Sequence, residues 1–244
     1  MSLVPESIEF NFPHLPTTLL MTGIAWALLA LFSFLAMRKR GMVPHALQSV
    51  FELTSGVVFD LADEAIGPEA PNYYPLFLGI FLFILFGNLL GLIPGLVSPT
   101  SSLNTTAALA LVVFVYYNAQ GFRKHGLGYF KHFMGPKLPW YLFPINMLIF
   151  LIEIIGHFAR PLSLAIRLFG NIFAKEVLLG ILAFLAIVFL GLHNPLLKYS
   201  LSAGPLLLRP AIILLGLLVG LIQAFVFLIL SVIYVAGAVA AAEH

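Results

Sequence analysis

An all-α, polytopic membrane protein is what this sequence predicts: about five membrane-embedded helices plus an amphipathic surface helix, the last two long and strongly inclined. Three observations predict it. Hydrophobic residues make up 61% of the 244 and charged residues only 9%, where soluble domains run near 25% charged. Apolar runs recur that match the ~20 helical residues needed to cross a hydrocarbon core. Two of those runs, 143–192 and 205–242, are far longer than one upright crossing requires. Nothing reads as a separate soluble domain, so residues 1–244 are expected to form a single transmembrane domain. With no cysteine, disulfides, thiol chemistry and cysteine metal sites are excluded.

Residues 1–16 are polar and proline-containing, an irregular lead or surface helix. They carry Glu6 and Glu9 but no Lys or Arg, the reverse of a basic signal n-region, so no cleavable signal is expected. The first span, 17–37, ends at Arg38, Lys39 and Arg40. Such a cluster stays cytoplasmic, which places the N-terminus outside.

Stretch 43–71 has apolar residues at helical spacing (Leu47, Val50, Val58, Leu61, Ala65), with Glu52, Asp60, Asp63, Glu64 and Glu69 between them. It is expected to be the amphipathic helix at the cytoplasmic surface, its acidic face solvated or against another subunit. The second span, 73–93, opens on Tyr73 and Tyr74 as an aromatic anchor and buries Asn88 against a neighbouring helix. Gly87 and Gly91 have the spacing that permits close approach.

An uncharged Pro/Gly/Ser turn leads to the third span, 104–121, and then to a basic loop with Arg123, Lys124, Lys131 and Lys137, again cytoplasmic. The two long runs measure roughly 75 Å and 55 Å as helices, against a core of about 30 Å. Each is either two short spans or one inclined helix. No strong turn breaks 164–192, and Pro161 is a kink rather than an end. Two inclined helices are therefore expected, joined by an outside loop at 193–204, with the C-terminus inside.

The chemistry concentrates in 153–176, EIIGHFARPLSLAIRLFGNIFAKE. A charge at mid-bilayer costs several kcal/mol, so such groups face a bundle interior, a water-filled cavity or an ion path. Glu153, Arg160 and Arg167 are spaced seven apart and share a helix face, with Ser163 and Asn171 flanking Arg167 on it. Glu176 falls on nearly the opposite side. Arg160 and Lys175 have a plainer reading as snorkelling side chains, with Glu153 paired to Arg160. Arg167 does not, because its surroundings are almost wholly apolar. In the last run Gly216, Gly220 and Ala224 repeat every four residues, with Gln223 beside that ridge. A lone Gln there is commonly a helix–helix hydrogen bond; its interest lies in a pairing with Arg167.

No GxxxxGK[ST] and no metal-ligand motif is present, and Ser163 has no nucleophile–base arrangement around it. No cofactor or metal is therefore expected. Carboxylates can take up and release protons and an arginine cannot. Ion or proton movement is the chemistry these buried groups suit. A stand-alone secondary transporter would show internal repeats, and the five segments differ in length and polar content.

The strings RPLSLAIRLFGNIFAKE (160–176) and LIQAFVFLILSVIYV (221–235), together with GLIPG (91–95), the region around Asn104 and the ending Glu243–His244, resemble subunit a of the membrane sector of bacterial F-type ATP synthases. The resemblance covers nearly the whole chain. It implies a stator channel, itself without a nucleotide site, beside a rotating ring of c subunits and held with the peripheral-stalk b subunits in a bacterial plasma membrane. Arg167 would face the ring carboxylates and Gln223 would help place it. Asn171 and Glu176 would line the path from outside, and Glu153, with Ser163, the path to the cytoplasm. H+ is the implied coupling ion, Na+ the alternative. Where some members carry a His seven residues before the glutamine this chain has Gly216, and it has Ser102 where some carry Asp. The outside path thus holds fewer titratable groups here.

Overall fold

The structure, a computed structural model, describes residues 17–38, 45–93, 95–129 and 143–240. The expected N-terminal lead, Lys39 and Arg40, Pro94, the loop cations Lys131 and Lys137, and the ending Glu243–His244 lie outside the described residues. The described residues are helical with short connections and no strand, so the chain is an all-α polytopic membrane protein. Its helices are α1 (Thr17–Arg38), α2 (Ala46–Ile66), α3 (Tyr74–Leu90), α4 (Leu103–His125), α5 (Phe143–Leu190) and α6 (Pro195–Ala240). Three single 3₁₀ turns, Ala70–Asn72, Pro99–Ser101 and Gly126–Gly128, punctuate the connections.

The contacts gather into two compact units. One comprises Met1–Lys39, Leu82–Thr105 and Leu168–Phe225; the other comprises Arg40–Phe81, Thr106–Arg167 and Val226–His244. α3, α4, α5 and α6 each contribute residues to both.

In the first unit, α1 lays Trp26 on Phe83 and Phe32 on Phe86, with ring centroids 4.9 and 5.3 Å apart. Met21 and Ala25, one helical turn apart, are buried, as is Ala36 near its end. Gly91 packs so tightly on Ser98 that an added Cβ would sit 2.6 Å from the Ser98 Cβ, and Gly87 borders Thr100. The small-residue pair expected to admit a neighbouring helix instead lets the connection after α3 fold back onto it.

In the second unit, α2 buries Ser55, Val58 and Ala62 and ends at Gly67, whose φ of 79° only glycine adopts without strain. Two of its acids find partners within the chain: Glu52 accepts from Gln48 (2.7 Å), and Asp63 accepts from the Tyr74 hydroxyl while Tyr74 stacks on Phe59. In the connection that follows, Glu69 pairs with Lys124 of α4 at 2.8 Å.

α5 and α6 contain 48 and 46 residues, each about 70 Å of helix. Pro161 lies inside α5, and Pro205 and Pro210 inside α6. The connection between the two is much shorter than the expected 193–204 loop. α6 already starts at Pro195, where a missing N–H costs nothing, and the Asn194 side chain caps it by accepting the Leu196 N–H at 3.1 Å. Pro205 and Pro210 do not end it, because a membrane helix tolerates proline when its surroundings satisfy the freed carbonyls.

Candidate functional site

Two polar clusters occur, one in each unit. In the first unit, Gln223 is 3% exposed. It accepts a hydrogen bond from Asn171 Nδ2 through Oε1 at 2.8 Å. Its own Nε2 is buried with no partner among the described residues. Around the connection after α3 the polar groups form a chain. The Ser98 hydroxyl donates to the Gly87 carbonyl (2.8 Å) and lies 2.7 Å from the Thr100 hydroxyl. Thr100 donates to Asn88 Oδ1 (2.7 Å), and Asn88 Nδ2 donates to the Gly220 carbonyl of α6 (2.9 Å). Gly220 is what lets Asn88 reach that carbonyl: a Cβ there would stand 3.1 Å from the Asn88 Cβ. Glu176, half-buried, accepts the Ser98 backbone N–H at 3.3 Å.

Lys175 is 8% exposed, and its Nζ donates to the Gly91 carbonyl at 3.2 Å. Its stem crosses Gly216 so closely that a Cβ there would fall 2.5 Å from Lys175 Cδ. The position that seemed simply to lack a titratable group is thus the floor under a lysine. A bare glycine leaves room for a long stem that a larger residue would expel.

In the second unit a cavity of about 200 Å³ is lined by Tyr117, Tyr129, Glu153, His157, Arg160 and Tyr234, among others. Glu153 and Arg160 approach to 3.7 Å, and the guanidinium lies 5.8 Å above the Tyr234 ring. His157 is 7% exposed; its Nε2 lies 3.0 Å from Asn118 Oδ1 and its Nδ1 3.5 Å from the Tyr117 hydroxyl. Ser163 is exposed and donates to the Arg160 carbonyl three residues back in its own helix (2.9 Å).

The Arg167 side chain is exposed on the chain alone and has no hydrogen-bond or ion-pair partner among the described residues. Its neighbours on α5 include exposed Leu162, Ile166 and Phe173.

The structure therefore brings together Asn171 and Gln223, and Glu153 and Arg160. It sets Glu176 on Ser98 and gives Ser163 only a local bond. His157, Asn118, Tyr117, Lys175, Ser98 and Thr100 were not singled out as site residues. For His157 the signal was present, since it stands one helical turn from Glu153. For Ser98 and Thr100 there was none beyond a Pro/Ser-rich turn. Among the described residues no group of three or more His, Asp or Glu gathers as a metal site would.

Comparison with known proteins is consistent over most of the chain. Residues 19–236 match the family described as ATP synthase A chain. The chain is 47% identical over 220 residues to ATP synthase subunit a 1 of Syntrophotalea carbinolica, covering 90% of this chain and 81% of that protein. It is 44% identical over 216 residues to ATP synthase subunit a 1 of Pelobacter propionicus, covering 88% and 84%. ATP synthase subunit a of Solidesulfovibrio magneticus is 42% identical over 228 residues, covering 93% and 86%.

Proposed function

From a chain that belongs to the ATP synthase A chain family, a membrane subunit of an F-type ATP synthase, we propose a proton-translocating stator channel. It offers two offset half-channels to a ring of c subunits and couples proton flow to rotation and ATP synthesis. The observation that carries this reading is Arg167. A permanently charged, weakly hydrated guanidinium on an apolar helix, without a partner among the described residues, calls for a counter-charge from another subunit. A ring carboxylate supplies one. The arginine favours the ionised carboxylate and, as a fixed cation, stops protons from crossing directly.

Each unit's polar cluster is assigned to one half-channel. Asn171, Gln223, Glu176 and the Ser98–Thr100–Asn88 chain belong to the path from outside, and Glu153, Arg160 and Ser163 to the path toward the cytoplasm. Residue 167 is where one unit's share of α5 ends and the other's begins. The peripheral-stalk b subunits are further partners. The protein lies in the bacterial plasma membrane with its N-terminus outside and C-terminus cytoplasmic, a reading that the basic residues in the last turns of α1 and α4 support.

The test is Arg167→Ala in the assembled complex. Coupled ATP synthesis and ATP-driven proton pumping are lost while the complex still assembles; normal pumping by this variant would falsify the reading. Stimulation of ATP hydrolysis by Na+ in the reconstituted complex would replace H+ with Na+ as the coupling ion.

A further inference from the structure

His157 is the one buried imidazole in the cavity of the second unit, and its hydrogen bonds fix its proton. Asn118 Nδ2 donates to the Phe114 carbonyl one turn back at 2.7 Å, which sets the amide orientation and turns Oδ1 toward His157. Oδ1 only accepts, and it also receives the Tyr129 hydroxyl at 3.3 Å. Nε2 of His157 must therefore carry a hydrogen. In the neutral ring the basic nitrogen is then Nδ1, which faces the Tyr117 hydroxyl across 3.5 Å. That hydroxyl is both donor and acceptor, and Tyr117 and Glu153 line the same cavity. Phe114 and Phe158 stand beside the ring with centroids 5.0 and 6.0 Å away.

We infer that His157 is a further proton-carrying residue of this path, exchanging protons with the cavity and Glu153 through the Tyr117 hydroxyl. The inference rests on the proton-channel reading above. The step balances without other reactants. A proton arriving from the cavity binds the Tyr117 oxygen as that oxygen releases its own proton to Nδ1. The ring becomes an imidazolium donating to Tyr117 from Nδ1 and to Asn118 from Nε2. Reversing the sequence returns the proton. Imidazole is the side chain that titrates nearest neutral pH, which suits it to holding a proton between transfers. Among the described residues, the titratable and charged groups lining the same cavity are Tyr117 on α4, Tyr129 just beyond it, Glu153 and Arg160 on α5 itself, and Tyr234 on α6.

A purely structural histidine, tying α4 to α5, would have the same bonds, so the experiment uses readouts that such a role does not move. ATP-driven proton pumping by the whole complex in inside-out vesicles is followed against pH and in D2O, for the parent, His157→Gln, Tyr117→Phe and Arg167→Ala. Glutamine can still donate to Asn118 but cannot carry a proton. His157→Gln is expected to slow pumping about tenfold or more and to flatten its pH dependence between about pH 6 and 8. Tyr117→Phe, lacking one oxygen atom, is expected to slow pumping several-fold and change the solvent isotope effect. Parental rates and parental pH profiles in both variants overturn the inference. Should His157→Gln fail to assemble, a parental rate and profile in Tyr117→Phe overturn it alone. If Arg167→Ala pumps normally, the channel reading itself fails. If Arg167→Ala is inactive while the other two behave as the parent, only the role of His157 fails.

Discussion

Gly216→Ala puts the closest packing of the first cluster to a quantitative test. The new Cβ would lie 2.5 Å from Lys175 Cδ and 3.1 Å from Cγ. Ordinary contact begins near 3.4 Å, so the stem must retreat by about 0.9 Å (3.4 − 2.5). Leu92 also borders the position at 3.7 Å, so the space to retreat into is limited. The Nζ–Gly91 bond is already 3.2 Å long, and the same displacement carries it past hydrogen-bonding range. Losing a hydrogen bond to a charged group costs about 1.5–3 kcal/mol. Against this stands the helix preference of Ala over Gly, about 0.8–1 kcal/mol in the other direction. The packing term wins, and the net destabilisation is about 0.5–2 kcal/mol. Lys175→Ala removes the obstacle, so in the double variant Gly216→Ala should become neutral or stabilising, a coupling of about 1 kcal/mol or more. The assay is thermal stability of the purified complex across the four members of the cycle, with proton pumping per assembled complex as a second readout. Gly216→Ala more stable than the parent, with no coupling to Lys175→Ala, would show that the stem does not rest on this glycine.

Asn171→Leu removes the donor to Gln223 Oε1 and leaves both ends of that buried amide without partners. Hydrogen bonds between membrane helices average about 0.6 kcal/mol and reach about 1.7, so a loss within that range is expected in the thermal stability of the complex. Stability equal to the parent would mean that the amide pair holds nothing. A pH effect is expected at Tyr129. Burial holds its phenol above the usual 10.0, with Arg160 acting against the rise. A raised phenol favours the protonated form in the fold, so its contribution is intact below pH 10.0 and is lost as pH rises through the raised value. Tyr129→Phe should lessen the alkaline loss of stability in that window; identical alkaline profiles for variant and parent would remove burial of this ring as the cause.

The fold class was legible because it follows from apolar composition and run length, which act locally. Arg167 stood out as a candidate for the same reason: a lone cation in a long apolar stretch needs no tertiary information to be noticed. Asn171 and Gln223 were each legible, but their pairing was not, since 52 residues separate them and only packing brings the two helices together. Gly216 misled for a related reason. A glycine shows nothing of what crosses it, and reading it as an absent titratable group overlooked the lysine stem that needs the space. The start of α6 at Pro195 was not legible, because 195–204 carries Lys198 and several polar residues and lacks the apolar run by which the helix was bounded. The chain Ser98–Thr100–Asn88 depends on a connection folding back over Gly91, and that fold-back leaves no periodic trace in the sequence.

The three prolines inside the long helices have an effect of their own. Each lacks the N–H that would bond the carbonyl four residues earlier, so the backbone oxygens of His157, Leu201 and Leu206 have no such donor. Two of these residues have aliphatic side chains, yet at these points the main chain itself offers lone pairs to water. Greasy rods thereby gain hydration points that carry no charge and titrate at no pH, so wetting there does not depend on the acidity of either compartment.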